Sequence, residues 1–260
     1  MSDVRFVAIG DSFTEGVGDE RPDGTPRGWA DLAAEGWAAQ TGASISYANL
    51  AIRGRLAWPI VEEQLEPALA LRPTHLAFNA GGNDILRPGD SISRVVDAFA
   101  KVVRRCDEQG VTPILLAGAD PSGGMPLRNV IRRRGNALCD AVVARFRRRD
   151  DLVWAINWTD ERLRDPSFWS PDRLHMNHRG HHRVAARVLH AVGVGAPEGW
   201  WDPPGEGAAH LSTRDYYRQH VGPWVRRRLM GRSSGDGRVP KYGDWVTVAP
   251  PPDPSVRMDS

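Results

Sequence analysis

Val4-Arg5-Phe6-Val7-Ala8-Ile9-Gly10-Asp11-Ser12-Phe13-Thr14-Glu15-Gly16 decides the fold. Val4–Ile9 is a short apolar run closed by a glycine turn and followed by a helical pattern, which reads as a buried strand. A serine at such a strand end stands where open α/β sheets place their chemistry. The glycine ahead of it lets the chain turn sharply, so the hydroxyl projects into a crevice with little cover. Ser12 is therefore the first candidate nucleophile. Taken alone, the stretch fits an ordinary capped turn at least as well, because Gly, Asp and Ser all favour turns and helix starts.

Outward from this turn the pattern repeats. Strand character recurs at Ser44–Leu50, His75–Asn79, Pro113–Ala117 and Leu152–Ile156, with helical patterns at Trp29–Gln40, Leu56–Ala70, Ser91–Gln109, Leu127–Arg149 and Asn177–Val192. Alternation of this kind predicts a parallel sheet covered on both faces. After Gly193 the composition shifts to turn and linker residues. Leu211–Met230 is a short amphipathic stretch, expected to be helical in part, and from Arg232 onward Ser, Gly and Pro predict little fixed structure. We divide the chain into a domain at residues 1–195 and a C-terminal extension at 196–260.

With 260 residues, 41% of them hydrophobic, the chain can bury a sizeable core. No run approaches the ~18 apolar residues of a membrane span, and the first residues lack a secretory pattern, so a soluble, cytoplasmic protein is expected. A formal net charge of +2 gives no mandate for nucleic acid. Arg132-Arg133-Arg134 and Arg147-Arg148-Arg149 read as solvated helix faces. Cys106 and Cys139 sit on apolar helical faces, where free cysteine packs as a small hydrophobe.

Three further stretches change the weight of Ser12. Asn49-Leu50-Ala51-Ile52-Arg53-Gly54 ends the second strand; Gly54 is either a plain turn glycine or one whose backbone N–H approaches a substrate oxygen. Asn79-Ala80-Gly81-Gly82-Asn83-Asp84 ends the third, where the Asn83 amide either caps a helix or donates to an oxyanion. Pro171-Asp172-Arg173-Leu174-His175 places a carboxylate three residues before an imidazole. One turn can then orient His175 through Asp172 while its other nitrogen faces Ser12.

His175, His178 and His181 recur at helical spacing, with His182 beside them. Without an added carboxylate or cysteine pattern they read as surface residues and not as a metal face. The Gly-x-Ser-x-Gly elbow, the Walker loop and the dinucleotide fingerprint all fail on spacing. Two rivals remain open at this stage: a metal-dependent phosphohydrolase using Asp11, Asp84, Asp172 and His175, and a catalytically silent binding module on the same fold.

Together, Gly-Asp-Ser at 10–12, Asn…Arg-Gly at 49–54, Gly-Gly-Asn-Asp at 81–84 and Asp-Arg-Leu-His at 172–175 resemble the four ordered blocks of the SGNH hydrolases, or GDSL esterases/lipases. The resemblance spans about residues 4–192, and its departure is Phe13 in place of the motif's Leu. It implies a three-layer α/β/α sandwich on a five-stranded parallel sheet in the flavodoxin-like order 2-1-3-4-5. The implied activity is acyl-ester hydrolysis of a small-molecule ester without cofactor or metal. Ser12 would be the nucleophile, His175 the base, Asp172 its orienting carboxylate, and Ser12, Gly54 and Asn83 the oxyanion hole. Trp58, Trp169 and Ile85 are candidates for an apolar acyl pocket.

Overall fold

In β1 (Arg5–Ile9) side chains alternate between two cores. Val7 and Ile9 join one, Phe6 and Ala8 the other, so the strand is buried on both faces and has no polar side. The computed structural model describes residues 3–203 apart from 88, 90 and 126, together with 213–216, 218, 219, 222 and 233–252.

The short helix α1 (Ser12–Glu15) follows β1, then come α2 (Gly28–Thr41) and β2 (Ile45–Asn49). The next helical segment is composite: α3 (Ala57–Ile60), a wider π-helical turn at Val61–Leu65, and α4 (Glu66–Ala70). β3 (His75–Asn79) leads through α5 (Gly82–Ile85) into the long α6 (Ile92–Gln109) and β4 (Thr112–Ala117). α7 (Arg128–Arg145), β5 (Val153–Ile156) and α8 (His178–Ala191) complete the alternation. β1 to β5 are parallel in the order 5-4-3-1-2. α2 and α8 supply the core on one face, and α3, α4, α6 and α7 that on the other. This is the expected three-layer sandwich. Cys106 and Cys139 are free and buried.

The sheet has a sixth strand. β6 (Tyr242–Val248) lies antiparallel on the outer edge of β2, pairing Ile45 with Val248 and Asn49 with Tyr242. This corrects both the five-stranded sheet and the expectation of little fixed structure after Arg232. The physical reason is the edge itself: β2 would otherwise present a row of unpaired backbone groups, and β6 covers them. Of the helix expected over Leu211–Met230, α9 (Thr213–Tyr216) is described; most of the rest of that stretch lies outside the described residues. No helix among the described residues is long and apolar enough to cross a membrane.

In the order 2-1-3-4-5 the chain leaves β1 and β3 toward opposite faces, so a crevice opens between their C-terminal ends. Ser12 stands at the end of β1 and Asn83 at the end of β3.

Candidate active site

Asp11 starts α1: its Oδ1 accepts from the Phe13 N–H at 3.1 Å, which leaves Ser12 as the first residue of the helix. A four-residue helix cannot satisfy its own last carbonyls; two distant side chains do so here, and a third binds the turn that follows. Asn49 Nδ2 donates to Thr14 O at 2.9 Å, Lys241 Nζ to Glu15 O at 2.8 Å, and His181 Nε2 to Val17 O at 3.3 Å. His181 Nδ1 accepts from the Trp29 N–H at 3.0 Å, which fixes the neutral tautomer. Burial depresses its pKa to about 4.

His175 closes the crevice from the other side. Its Nε2 lies 3.1 Å from Ser12 Oγ, and its Nδ1 lies 2.5 Å from Asp172 Oδ2. The remaining carboxylate oxygen, Oδ1, accepts the backbone N–H groups of Leu174 and His175, each at 3.0 Å. Arg173 takes a left-handed conformation, φ 58°, to close this tight turn. Burial raises the Asp172 pKa, but the hydrogen bonds and charge of His175 and the two backbone donors outweigh it, and the pKa settles at about 2. An ionised carboxylate only accepts, so the proton between the two groups belongs to Nδ1, and Nε2 is the ring nitrogen left facing the Ser12 hydroxyl.

Gly54 and Asn83 face the same end of the sheet. Gly54 has φ 78°, in the region glycine alone enters freely, and a Cβ there would come within 2.3 Å of Ser233 Oγ. The Ser233 turn of the C-terminal extension thus lies directly on the Gly54 loop. Glu15 ties that loop to α1, accepting from the Arg53 N–H at 2.7 Å and from its Nε at 2.9 Å. Asn83 Nδ2 donates to Asp11 Oδ2 at 3.1 Å and to Arg55 O at 3.0 Å, which holds the amide between the Ser12 and Gly54 loops. Burial above all, with the Asp84 charge adding, lifts the Asp11 pKa to about 6 despite the donors from Phe13 and Asn83.

The structure therefore brings Ser12, His175 and Asp172 into one line and sets Gly54 and Asn83 in adjoining loops. It does not bring the acidic residues of the phosphohydrolase reading to one point: Asp84 Oδ2 accepts from the Ala57 N–H at 3.1 Å, Asp11 is engaged by Phe13 and Asn83, and Asp172 turns to His175. Among the described residues no three His, Cys, Asp or Glu side chains form a metal-binding group. The histidine run is also unlike its surface reading. His175 precedes α8, whose N-cap is Asn177, while His181 and His182 are buried, His182 against the Trp200 ring.

The largest omission of the sequence reading is Lys241. Its side chain is 8% exposed; Nζ lies 2.7 Å from Asp31 Oδ1 and donates also to Pro26 O at 3.0 Å and Arg27 O at 2.7 Å. Burial depresses the Lys241 pKa and raises that of Asp31, each opposed by the other's charge. One signal was present: the chain carries only two lysines among its 34 basic residues. A compact ammonium with three donors fits a nest of carbonyls that the broad, planar guanidinium cannot enter.

A crevice at the carboxyl ends of parallel strands, holding a serine hydroxyl on an imidazole that a carboxylate orients, is an arrangement suited to acyl transfer. The chain belongs to the GDSL-like lipase/acylhydrolase family, whose pattern it matches over residues 8–183. Among solved structures, it is similar to the lipase Lip_vut3 from a goat rumen metagenome, with 16% identity and a TM-score of 0.62 over 74% of this chain and 98% of that one. A variant of the acetylxylan esterase Axe2 from Geobacillus stearothermophilus aligns at 19% identity and a TM-score of 0.58, covering 73% and 94% of the two chains. The psychrotrophic esterase EstA from Pseudoalteromonas sp. aligns at 16% identity and a TM-score of 0.56, covering 74% and 97%. No curated protein matches the sequence significantly.

Proposed function

We propose that the protein hydrolyses carboxylic esters by two successive acyl transfers through Ser12. His175 Nε2 removes the hydroxyl proton as Oγ attacks the ester carbonyl, and Asp172 holds the imidazolium that forms. The oxyanion is met by the Ser12 and Gly54 N–H groups and by Asn83 Nδ2, which exchanges one of its two present acceptors for it. The imidazolium then protonates the departing alkoxide. Water enters, His175 takes its proton, and the acid leaves with Ser12 restored. The observation that carries this reading is the unbroken line from Ser12 Oγ through His175 to Asp172, 3.1 Å and 2.5 Å long in its two steps.

The test is covalent. A fluorophosphonate should bond to Ser12 Oγ and stay, because the adduct mimics the tetrahedral intermediate but does not readily hydrolyse. Peptide mapping should find the label on Ser12, and Ser12→Ala and His175→Ala should each abolish it, since members of such a triad act as a unit. EDTA should leave aryl-ester hydrolysis unchanged. An unlabelled Ser12, with hydrolysis that EDTA removes and Zn²⁺ or Mn²⁺ restores, would replace this reading with the metal-dependent one.

A further inference from the structure

A cavity of about 110 Å³ runs from Ser12 and His175 down between the ends of β3, β4 and β5 and the inner face of α7. Its polar side chains, Asp11, Ser12, Asn79, Asn83 and His175, all belong to strand ends or to the catalytic loops. Deeper in, the walls are Ile85, Phe99, Ile131, Leu138, Val142 and Trp158, every one buried. Ile85 and Trp169 of the anticipated acyl pocket do line it, whereas Trp58 does not.

Three indoles line the wall, Trp154, Trp158 and Trp169, and two of them spend their N–H groups away from the space. Trp158 Nε1 donates to Asn136 Oδ1 at 2.8 Å and Trp169 Nε1 to Leu163 O at 2.7 Å, so neither N–H needs a partner in the cavity. Gly135 makes the Trp158 wall possible: a Cβ on α7 at that point would lie 1.9 Å from Trp158 Cζ2. Empty apolar volume inside a close-packed core forfeits dispersion contacts, and a hydrocarbon guest restores them.

Resting on the serine-esterase reading, we propose that this cavity receives the acyl chain of the substrate, and that the preferred esters carry a chain of medium length. One water needs ~10–15 Å³ of such volume, so the cavity holds about eight water-sized units; a methylene is of similar size, giving a chain of roughly six to ten carbons. The acyl arm is the one that profits from a deep site, because it stays bonded to Ser12 while the alcohol leaves and water arrives.

The measurement is kcat/KM on p-nitrophenyl esters from acetate to dodecanoate, paired with ethyl to octyl acetates, in which the alcohol lengthens instead. Each buried methylene should raise kcat/KM about fourfold, to a maximum near octanoate, with little gain along the alcohol series. Leu138→Trp and Ile131→Trp, which fill the deep end, should each lower the octanoate-to-acetate ratio at least tenfold, with folding checked by near-ultraviolet circular dichroism and the nucleophile by fluorophosphonate uptake. Val142→Phe serves as a third blocking variant should either tryptophan disturb the fold. Acetate hydrolysed as fast as octanoate, a gain that follows the alcohol, or blocking variants with an unchanged ratio would each overturn the acyl assignment. These outcomes leave Ser12 labelled. Loss of labelling and of all esterase activity in the native protein would instead strike the reading beneath it.

Discussion

Asn83 is held by two acceptors, Asp11 Oδ2 and Arg55 O, so its amide is aimed before substrate arrives. Asn83→Ala should leave the protein folded and lower kcat about 10²–10³-fold, the usual loss for one oxyanion donor; wild-type kcat in this variant would remove Asn83 from that role. The acceptor itself titrates unusually. Asp11, raised from 3.8 to about 6, holds its proton more tightly when folded than when unfolded. Its contribution to stability is therefore full below about pH 4 and lost as the pH climbs to about 6, amounting to about 3 kcal/mol. Asp172 has the opposite sign: its contribution is present above pH 4 and is lost as acid approaches its pKa of about 2. Urea unfolding at pH 4 and pH 7 should show the difference between Asp11→Asn and wild type moving in the variant's favour by about 3 kcal/mol over that interval. A pH-independent difference would mean that the Asp11 carboxyl is not shifted.

At the scale of elements, the five parallel strands and their helices were legible because each carries its own pattern. A run such as Leu76-Ala77-Phe78, buried on both faces, reads the same with or without its neighbours. The candidate site residues stood out for a related reason, since each lies within a few residues of a strand end or a tight turn. β6 was not legible. Tyr-Gly-Asp-Trp-Val-Thr-Val sits among prolines and glycines, and what makes it a strand is the open edge of β2, nearly two hundred residues earlier. Lys241, just before β6, was hidden in the same way: its acceptors are carbonyls of Glu15, Pro26 and Arg27, and no spacing announces a nest of carbonyls. Lys241→Met should destabilise the protein by about 3 kcal/mol, because it leaves the buried Asp31 carboxylate with only the partly exposed Arg21 as its cation. Adding Asp31→Asn should recover part of that loss. Well below the melting temperature, Lys241→Met should lower kcat about tenfold with KM little changed, through a loosened Ser12 turn; unaltered kcat would show that the turn stands without the lysine.

On the scale of the whole molecule, the extension and the hydrolase fold are joined at the working end of the sheet. The Ser233 turn rests on Gly54, Lys241 grips the end of α1, and β6 seals the edge. A chain ended at Arg232 loses all three. It should melt at a lower temperature than the full chain and self-associate through the bared edge of β2, which thermal melts and light scattering would show. Ester hydrolysis per folded molecule should fall with it. Full activity and a monomeric state in that shortened chain would mean that residues 233–252 are packed against the site without supporting it.

The grip of Lys241 on Glu15 O spans 226 residues, and that separation gives the enzyme a timetable. A ribosome adds about 5–20 residues per second, so the nucleophile turn leaves the peptidyl-transferase centre roughly 11–45 s before the lysine that secures it. For most of that interval Ser12, Gly54 and Asn83 exist with the partners that tie their loops together, and what is missing is the lysine's hold on the Glu15, Pro26 and Arg27 carbonyls. A closure over so many residues carries a large loop entropy, so this hold forms late. The end of α1 is thus secured only after the loops of Ser12, Gly54 and Asn83 have been made, when the sixth strand docks.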